Sequence, residues 1–344
     1  TSTVTLTAAA DSYAAGMGNE LVYGLGGGDN LWGDVVDFVH QHVGDTVTFG
    51  SDVLYGGDGN DIIRGDTLKM HYYYPWSGNQ SATGGDDALF GETGDDIVIG
   101  DFENAIMFYD GAGSQAITGG DDILRGGAGN DALYGDTPLA QIFWPGVAPS
   151  TSTFTFGADD IDGGAGNDYI VGDAHEANTS NAANTGFASR HAVFNGANDL
   201  LRGGDGDDTV IGDFNKVTAF QNWGYKPVYN AGDDIIEGGA GADNLYGDWV
   251  STLASGSGTW GLTAATGADT FVFATGSGLD TIHDFEVGKD KIDVSGYGFT
   301  SMADFTVTVT GTDTTLDFDG GAAHVDEVLL VNVLGVTVDD FVFA

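Results

Sequence analysis

The chain has 344 residues and a net charge of −43, from 52 acidic against 9 basic side chains, a balance that argues against nucleic acid and anionic membranes as partners and for multivalent cations. It has no cysteine, hence no disulfide framework and no thiolate metal site, and no apolar run long enough for a membrane span or a signal-peptide core. Disorder, the usual outcome of such charge, is countered by 41% hydrophobic and 11% aromatic residues, so the chain reads as foldable once its acid is neutralised.

The acids are 45 Asp and only 7 Glu. A solubilising surface uses either acid, whereas a tight turn around a hard cation prefers the shorter one. The sequence begins at Thr1 rather than Met, which leaves room for a segment upstream. Residues 1–18 read as an N-terminal cap.

From 19 to 268 the chain repeats itself. Seven segments align without a gap: YGLGGGDNLWGD (23–34), YGGDGNDIIRGD (55–66), FGETGDDIVIGD (90–101), RGGAGNDALYGD (125–136), DGGAGNDYIVGD (162–173), RGGDGDDTVIGD (202–213) and EGGAGADNLYGD (237–248). The seventh position is always Asp: Asp29, Asp61, Asp96, Asp131, Asp168, Asp208 and Asp243. Two residues later stands an aliphatic side chain, Leu31, Ile63, Val98, Leu133, Ile170, Val210 or Leu245. Each segment closes on Gly-Asp, giving Asp34, Asp66, Asp101, Asp136, Asp173, Asp213 and Asp248 at spacings of 32, 35, 35, 37, 40 and 35. Upstream runs a shorter copy of the rhythm, acid then aliphatic: Glu20/Val22, Asp52/Leu54, Asp87/Leu89, Asp122/Leu124, Asp159/Ile161, Asp199/Leu201 and Asp234/Ile236. Asp269/Phe271 and GSGLDTI (276–282), with Asp280 and Ile282, make a degenerate eighth turn.

These segments resemble the RTX nonapeptide, GGxGxDxUx with U aliphatic. The resemblance implies an all-β parallel β-roll of about eight coils, with calcium held between turns by the Asp carboxylates and the carbonyls of the Gly-rich loop. A plain RTX coil needs about 18 residues. The period here is near 35, so each coil should carry an insertion of about 17–24 residues along one edge. Several insertions read as hairpin flaps, AIMFYDGAGSQAIT (105–118) among them.

The chemistry suits these residues. Calcium takes 6–8 oxygen ligands, mixing carboxylates with carbonyls. Glycine bends the backbone so that its carbonyls point inward, and the aliphatic residue faces a thin core. The metal-free chain should repel itself, so cation binding should supply much of the folding free energy. The seventh-position Asp residues and Asp280 are the expected calcium ligands. The closing Asp residues, from Asp34 to Asp248, either ligate a second row of ions or cap the start of each flap.

Residues 269–344 read as a C-terminal cap. GADTFVFATGSGLDTIHDFEVGKDKIDVSGYG (267–298) resembles the closing segment after the repeats of serralysin-type proteases and other type I secretion substrates. FTVTVT (305–310) and EVLLVNVLGVTV (327–338) are strand-like, and DDFVFA (339–344) resembles an uncleaved type I secretion signal or, more plainly, a final edge strand. The resemblance implies a bacterial protein secreted to the cell surface or beyond, unfolded at low cytosolic calcium and folded outside.

Signs of an enzyme are lacking. HEANT (175–179) starts like a zinc-protease HExxH but has Thr179 in place of the second His, and neither a GxSxG elbow nor a P-loop occurs. His40, His42, His71, His175 and His191 show no ligand spacing. Aromatics are dense in the insertions, and Tyr73, Trp76, Tyr109, Trp144, Trp223, Tyr225 and Trp260 could form a ligand strip or pack on one another. A repeated Thr-x-Thr face is not evident, since TSTFTF (151–156) and TVTVTGT (306–312) stand isolated. The expected function is non-enzymatic: calcium-dependent adhesion or self-assembly into a fibre or layer. The alternatives are a calcium-dependent module for extracellular polysaccharide, and, further off, a hydrolase with its site in the flaps.

Overall fold

In a computed structural model, described over all residues except 1, 41–45, 75–78, 110–112, 145–149, 182–189, 222–226, 257–262 and 321–324, the chain winds as an all-β parallel solenoid. One coil shows the plan, with strands Ala88–Thr93, Ile97–Ile99, Phe102–Tyr109 and Gly113–Thr118. Each strand belongs to its own sheet; sheets A, B, C and D hold 11, 12, 7 and 7 strands in that order around the coil. Ala88–Thr93 pairs in parallel with Val53–Asp58 of the coil before and Ile123–Ala128 of the coil after. Coil thus stacks on coil at the spacing of a sheet, about 4.8 Å.

Sheets A and B face each other across a first core. Side-chain alternation decides what enters it: Leu89 and Val98 are fully buried, while Ala88 and Ile97 point away. The repeated aliphatic positions of both rhythms, from Val22 and Leu31 to Phe271 and Ile282, line this core from end to end.

The insertions fold otherwise than as hairpins. Phe102–Tyr109 and Gly113–Thr118 do not pair with one another; they pair in parallel with their counterparts one coil away, in sheets C and D respectively. The seven insertions together build a second roll beside the first, with its own core of Phe102, Met107, Ile117, Ile142, Phe154, Phe194, Phe214 and Tyr229. Phe154, Phe194 and Tyr229 stack coil on coil, with ring centroids 5.4 and 4.8 Å apart. The cause is periodicity. Each insertion alternates inward and outward residues as a strand does, and the nearest partner for its backbone is the same segment one coil on. The seven strands in sheets C and D also put the coil count slightly below the eight expected.

The ends differ. Ser2–Thr5 and Ser12–Ala14 extend sheets A and B at the start. At the far end the hairpin Thr306–Thr310 with Asp313–Asp317 pairs antiparallel onto Glu327–Leu330, and Phe273, Phe305, Phe318 and Phe341 close the first core. Of EVLLVNVLGVTV only Glu327–Leu330 is strand. Phe341–Val342 forms the last strand of sheet A. No helix among the described residues is long and apolar enough to cross a membrane.

Stacking also creates an outer face that the linear sequence hides. Thr48, Thr83, Thr118 and Thr155 fall in one column of sheet D, continued by Asn195 and Asn230. The face is a single hydroxyl column rather than a repeated Thr-x-Thr face, since the column two residues before it reads Thr46, Ser81, Ala116, Thr153, Val193 and Val228.

Because the two rolls have separate cores, Phe194→Ala should cost about 3–5 kcal/mol and act locally. Hydrogen exchange is expected to quicken in Ser150–Thr155 and Arg190–Asn195 while Leu200–Asp205 stays protected. Equal loss of protection in both rolls would mean that they open as one unit.

Candidate metal centre

Each nonapeptide forms the bend between sheets A and B, at the edge far from the second roll. Glycine is required there: Gly94 has φ +134°, and a Cβ on it would lie 1.7 Å from the carbonyl oxygen of Gly59 in the preceding coil. The seventh-position Asp residues stack into one buried column, Asp29, Asp61, Asp96, Asp131, Asp168, Asp208, Asp243 and Asp280, each at most 3% exposed. In every one, Oδ1 accepts the backbone N–H of the matching Asp in the coil before, at 2.6–3.1 Å. The other oxygen, Oδ2, is buried and accepts no hydrogen bond at any of the eight positions. It shares its place with a carbonyl: a Cβ on Gly91 would meet Asp96 Oδ2 at 2.3 Å and the carbonyl oxygen of Gly126 at 2.5 Å. A carboxylate oxygen with no donor, converging on carbonyl oxygens, suits a hard cation and little else.

The closing Asp residues, Asp34, Asp66, Asp101, Asp136, Asp173, Asp213 and Asp248, form a second column where the chain leaves sheet B for sheet C. They do cap the insertion. The carboxylate takes the N–H of the residue with which the chain re-enters the first roll, as Gly120 donates to Asp101 Oδ2 at 3.0 Å and Gly232 to Asp213 Oδ1 at 2.7 Å. A third column was visible in the sequence only as a rhythm: Asp52, Asp87, Asp122, Asp159, Asp199, Asp234 and Asp269, all at most 2% exposed, where the chain returns from sheet D to sheet A. Their burial at the waist between the two rolls could not be read before the insertions were known to fold as a roll.

The other candidates do not converge. HEANT lies on the strand Ala174–Asn181. There His175 sits between Tyr169 Oη at 3.1 Å and Asn215 Nδ2 at 3.3 Å, Glu176 pairs with Lys216 Nζ at 2.8 Å, and Thr179 is buried. Among the described residues, the group of three ligating atoms within 4.8 Å of one another is Glu20, Asp34 and Asp52, and no His belongs to it. Tyr73, Tyr109 and Trp144 lie on strands of sheet C, but their side chains are outside the described residues, as are Trp76, Trp223, Tyr225 and Trp260 altogether.

Electrostatics follow from burial without counter-ions. Desolvation pushes the carboxyl of Asp96 up to about 7, that of Asp52 to about 8 and that of Asp101 to about 7. In Asp87 and Asp122 burial, reinforced by neighbouring carboxylates, raises it well above the ordinary range. A carboxyl raised in the fold binds more protons folded than unfolded, so the calcium-free fold loses stability as pH rises from about 4 to 8. Protons and cations compete for the same oxygens, so a cation bound there would reverse the trend. Circular dichroism should show, in chelator, less folded chain at pH 8 than at pH 5, and in millimolar calcium the opposite order. A chelated chain as stable at pH 8 as at pH 5 would contradict the assignment.

The peptidase M10 serralysin C-terminal family matches residues 47–344. Comparison with curated proteins finds no match. Among solved structures, the AlgE6R2 subunit of the Azotobacter vinelandii mannuronan C5-epimerase is similar at 25% identity, over 44% of this chain and 91% of that one, with a TM-score of 0.24. RTX-type β-rolls bind calcium in general, and the acid columns stand where such a roll places its turns. With the family's pattern running over most of its length, the chain belongs to the peptidase M10 serralysin C-terminal family.

Proposed function

We propose that this is a secreted calcium-binding β-roll without enzymatic activity, which folds on meeting extracellular calcium and then joins copies of itself, or a cell to its matrix. The orphaned Oδ2 atoms of the edge column support the calcium part of this reading. Family membership supports the extracellular part, and a type I secretion route suits a chain whose folding waits for calcium.

Sheet D carries the adhesive part. On a chain of charge −43, its seven strands contain no Asp, Glu or Lys. Their outward residues are chiefly Thr, Ser, Ala, Val and Asn, with Thr48, Thr83, Thr118 and Thr155 in line and joined to Asn195 and Asn230. Asn230 Nδ2 donates to Asn195 Oδ1 at 2.8 Å within this row, and Ser81 Oγ donates to Thr46 Oγ1 at 3.1 Å in the column beside it. A neutral, hydrogen-bonding flat face is where two such acidic molecules can meet without repulsion.

Light scattering after size exclusion, in calcium and in chelator, tests the reading. Calcium should convert an expanded monomer into large reversible assemblies, and Thr118→Glu with Thr155→Glu should abolish assembly while leaving the calcium-induced circular dichroism change intact. A compact monomer in calcium would sink self-assembly and direct attention to polysaccharide binding.

A further inference from the structure

The two rolls end differently. Beyond Ile235–Ala240 and Asn244–Tyr246 the first roll runs on, through Thr270–Val272, Lys291–Asp293 and Phe341–Val342 in sheet A and through Leu279–Ile282 and Glu327–Leu330 in sheet B, to its aromatic cap. The second roll stops short. Trp249–Gly256 and Thr263–Ala265 are the last strands of sheets C and D, each paired on one side only. The chain does not extend this end itself: after Ile282 it returns to sheet A at Lys291 through residues 283–290, with no insertion to lay there.

Burial shows that this end is open. Thr252 continues the inward column of Val217, and Ala264 that of Tyr229. Val217 and Tyr229 are at most 1% exposed, whereas Thr252 and Ala264 are exposed. A free strand of eight residues offers a row of unpaired N–H and C=O groups, and natural sheets blunt such strands with charge, proline or short length. None of these is used here. Residues 249–268 contain no Asp, Glu, Lys, Arg or Pro, on a chain of net charge −43. The opposite end of sheet C is charged, since Asp37–His40 carries Asp37, paired with Lys69 at 3.5 Å.

Shape selects the partner. A copy that stacked its own first coil on this end would drive its first roll into the overhang, roughly 14 Å of further strands. A copy turned about a two-fold axis perpendicular to sheet C avoids it, because its first roll then lies on the far side. We propose that the open end of the second roll is a self-complementary docking surface, where a second copy of this chain lays its Trp249–Gly256 antiparallel against this one. One end strand from each of two sheets is a small contact, so it acts together with sheet D. A pair joined face to face through sheet D closes on itself, whereas pairs joined again at their ends grow into a row. That growth rests on the association proposed above.

Lysine at the inward positions of the last coil tests the docking. Thr252→Lys with Ala264→Lys places cations where solvent now reaches, so the variant should keep the calcium-induced circular dichroism change of the parent. It also lowers the magnitude of the net charge, which by itself favours association. Light scattering in millimolar calcium should nonetheless show pairs only, where the parent builds large assemblies, and Thr5→Lys at the far end of the first roll should leave assembly size unchanged. The chain has no cysteine, so single cysteines placed in turn at Ser251, Thr252 and Leu253 report the contact directly. Mild oxidation in calcium should link copies at one of these positions or more, and in chelator at none. Parent-sized assemblies from the lysine variant, or no link at any of the three positions, would overturn the end contact and leave sheet D standing. A lysine variant reduced to monomer would support the end contact and remove sheet D as the main one. A parent that stays monomeric in calcium would overturn both.

Discussion

The structure depends on a repulsion that it must cancel. Three columns take 22 of the 52 acidic residues and bury them in files one coil apart. Two unit charges about 4.8 Å apart repel by about 3.5 kcal/mol at an effective dielectric of about 20. A single file of eight would then cost more than the whole net stability of an ordinary domain, about 5–15 kcal/mol. Hydrogen bonds do not cancel it, since each carboxylate of the edge column receives one N–H and keeps a bare second oxygen. Only charge of the opposite sign does, and Lys+Arg number 9. The buried files therefore suit a partner cation.

From that constraint the architecture follows. Bare oxygens must meet at a regular spacing, so the turns must repeat in register, and parallel stacking is the arrangement that keeps register over many coils. Once the first roll is in register its insertions begin and end at fixed points, such as Asp101 and Gly120. They then have little choice but to stack as well. Variation in insertion length is absorbed away from the turns: Asp168 and Asp208 are 40 residues apart, yet the hydrogen bond between them is 2.7 Å, as between Asp96 and Asp131 at a spacing of 35.

What was legible in the sequence is what lies close along the chain. Asp at the seventh position, aliphatic at the ninth and the positive-φ glycines are local demands of one turn, so the first roll, its core and its edge column could be read directly. The insertions could not. Strand parity is plain in Ala105 and Met107, but a strand's partner is not fixed by parity, and a local hairpin is the nearest guess. The true partner stands 35 residues away, as Ala105 opposite Met70 shows, and nothing within a single insertion marks it. The same blindness concealed the Thr column of sheet D, where each coil contributes one residue, and the returning Asp residues, whose role depends on a roll not yet inferred. The aromatic strip drew attention to Tyr and Trp, whereas the second core rests chiefly on Phe, on Phe102, Phe154, Phe194 and Phe214.

Segregation of charge then links fold to role. A chain with −43 spread evenly would repel its own copies at every approach. Here much of the acid is drawn into the interior files, and sheet D is left with none. Cations that fold the chain also neutralise the files, so the step that builds the neutral face also removes the long-range repulsion that would keep copies apart. On the proposed function, folding and association would be responses to one signal, the calcium level outside the cell, without any moving part beyond the chain's own ordering. The separate cores let the two responses differ in degree. The first roll carries the nonapeptides and the C-terminal cap; the second carries the uncharged sheet D. On the proposed function, the ordering of the second roll, rather than the integrity of the first, would be the step on which adhesion turns.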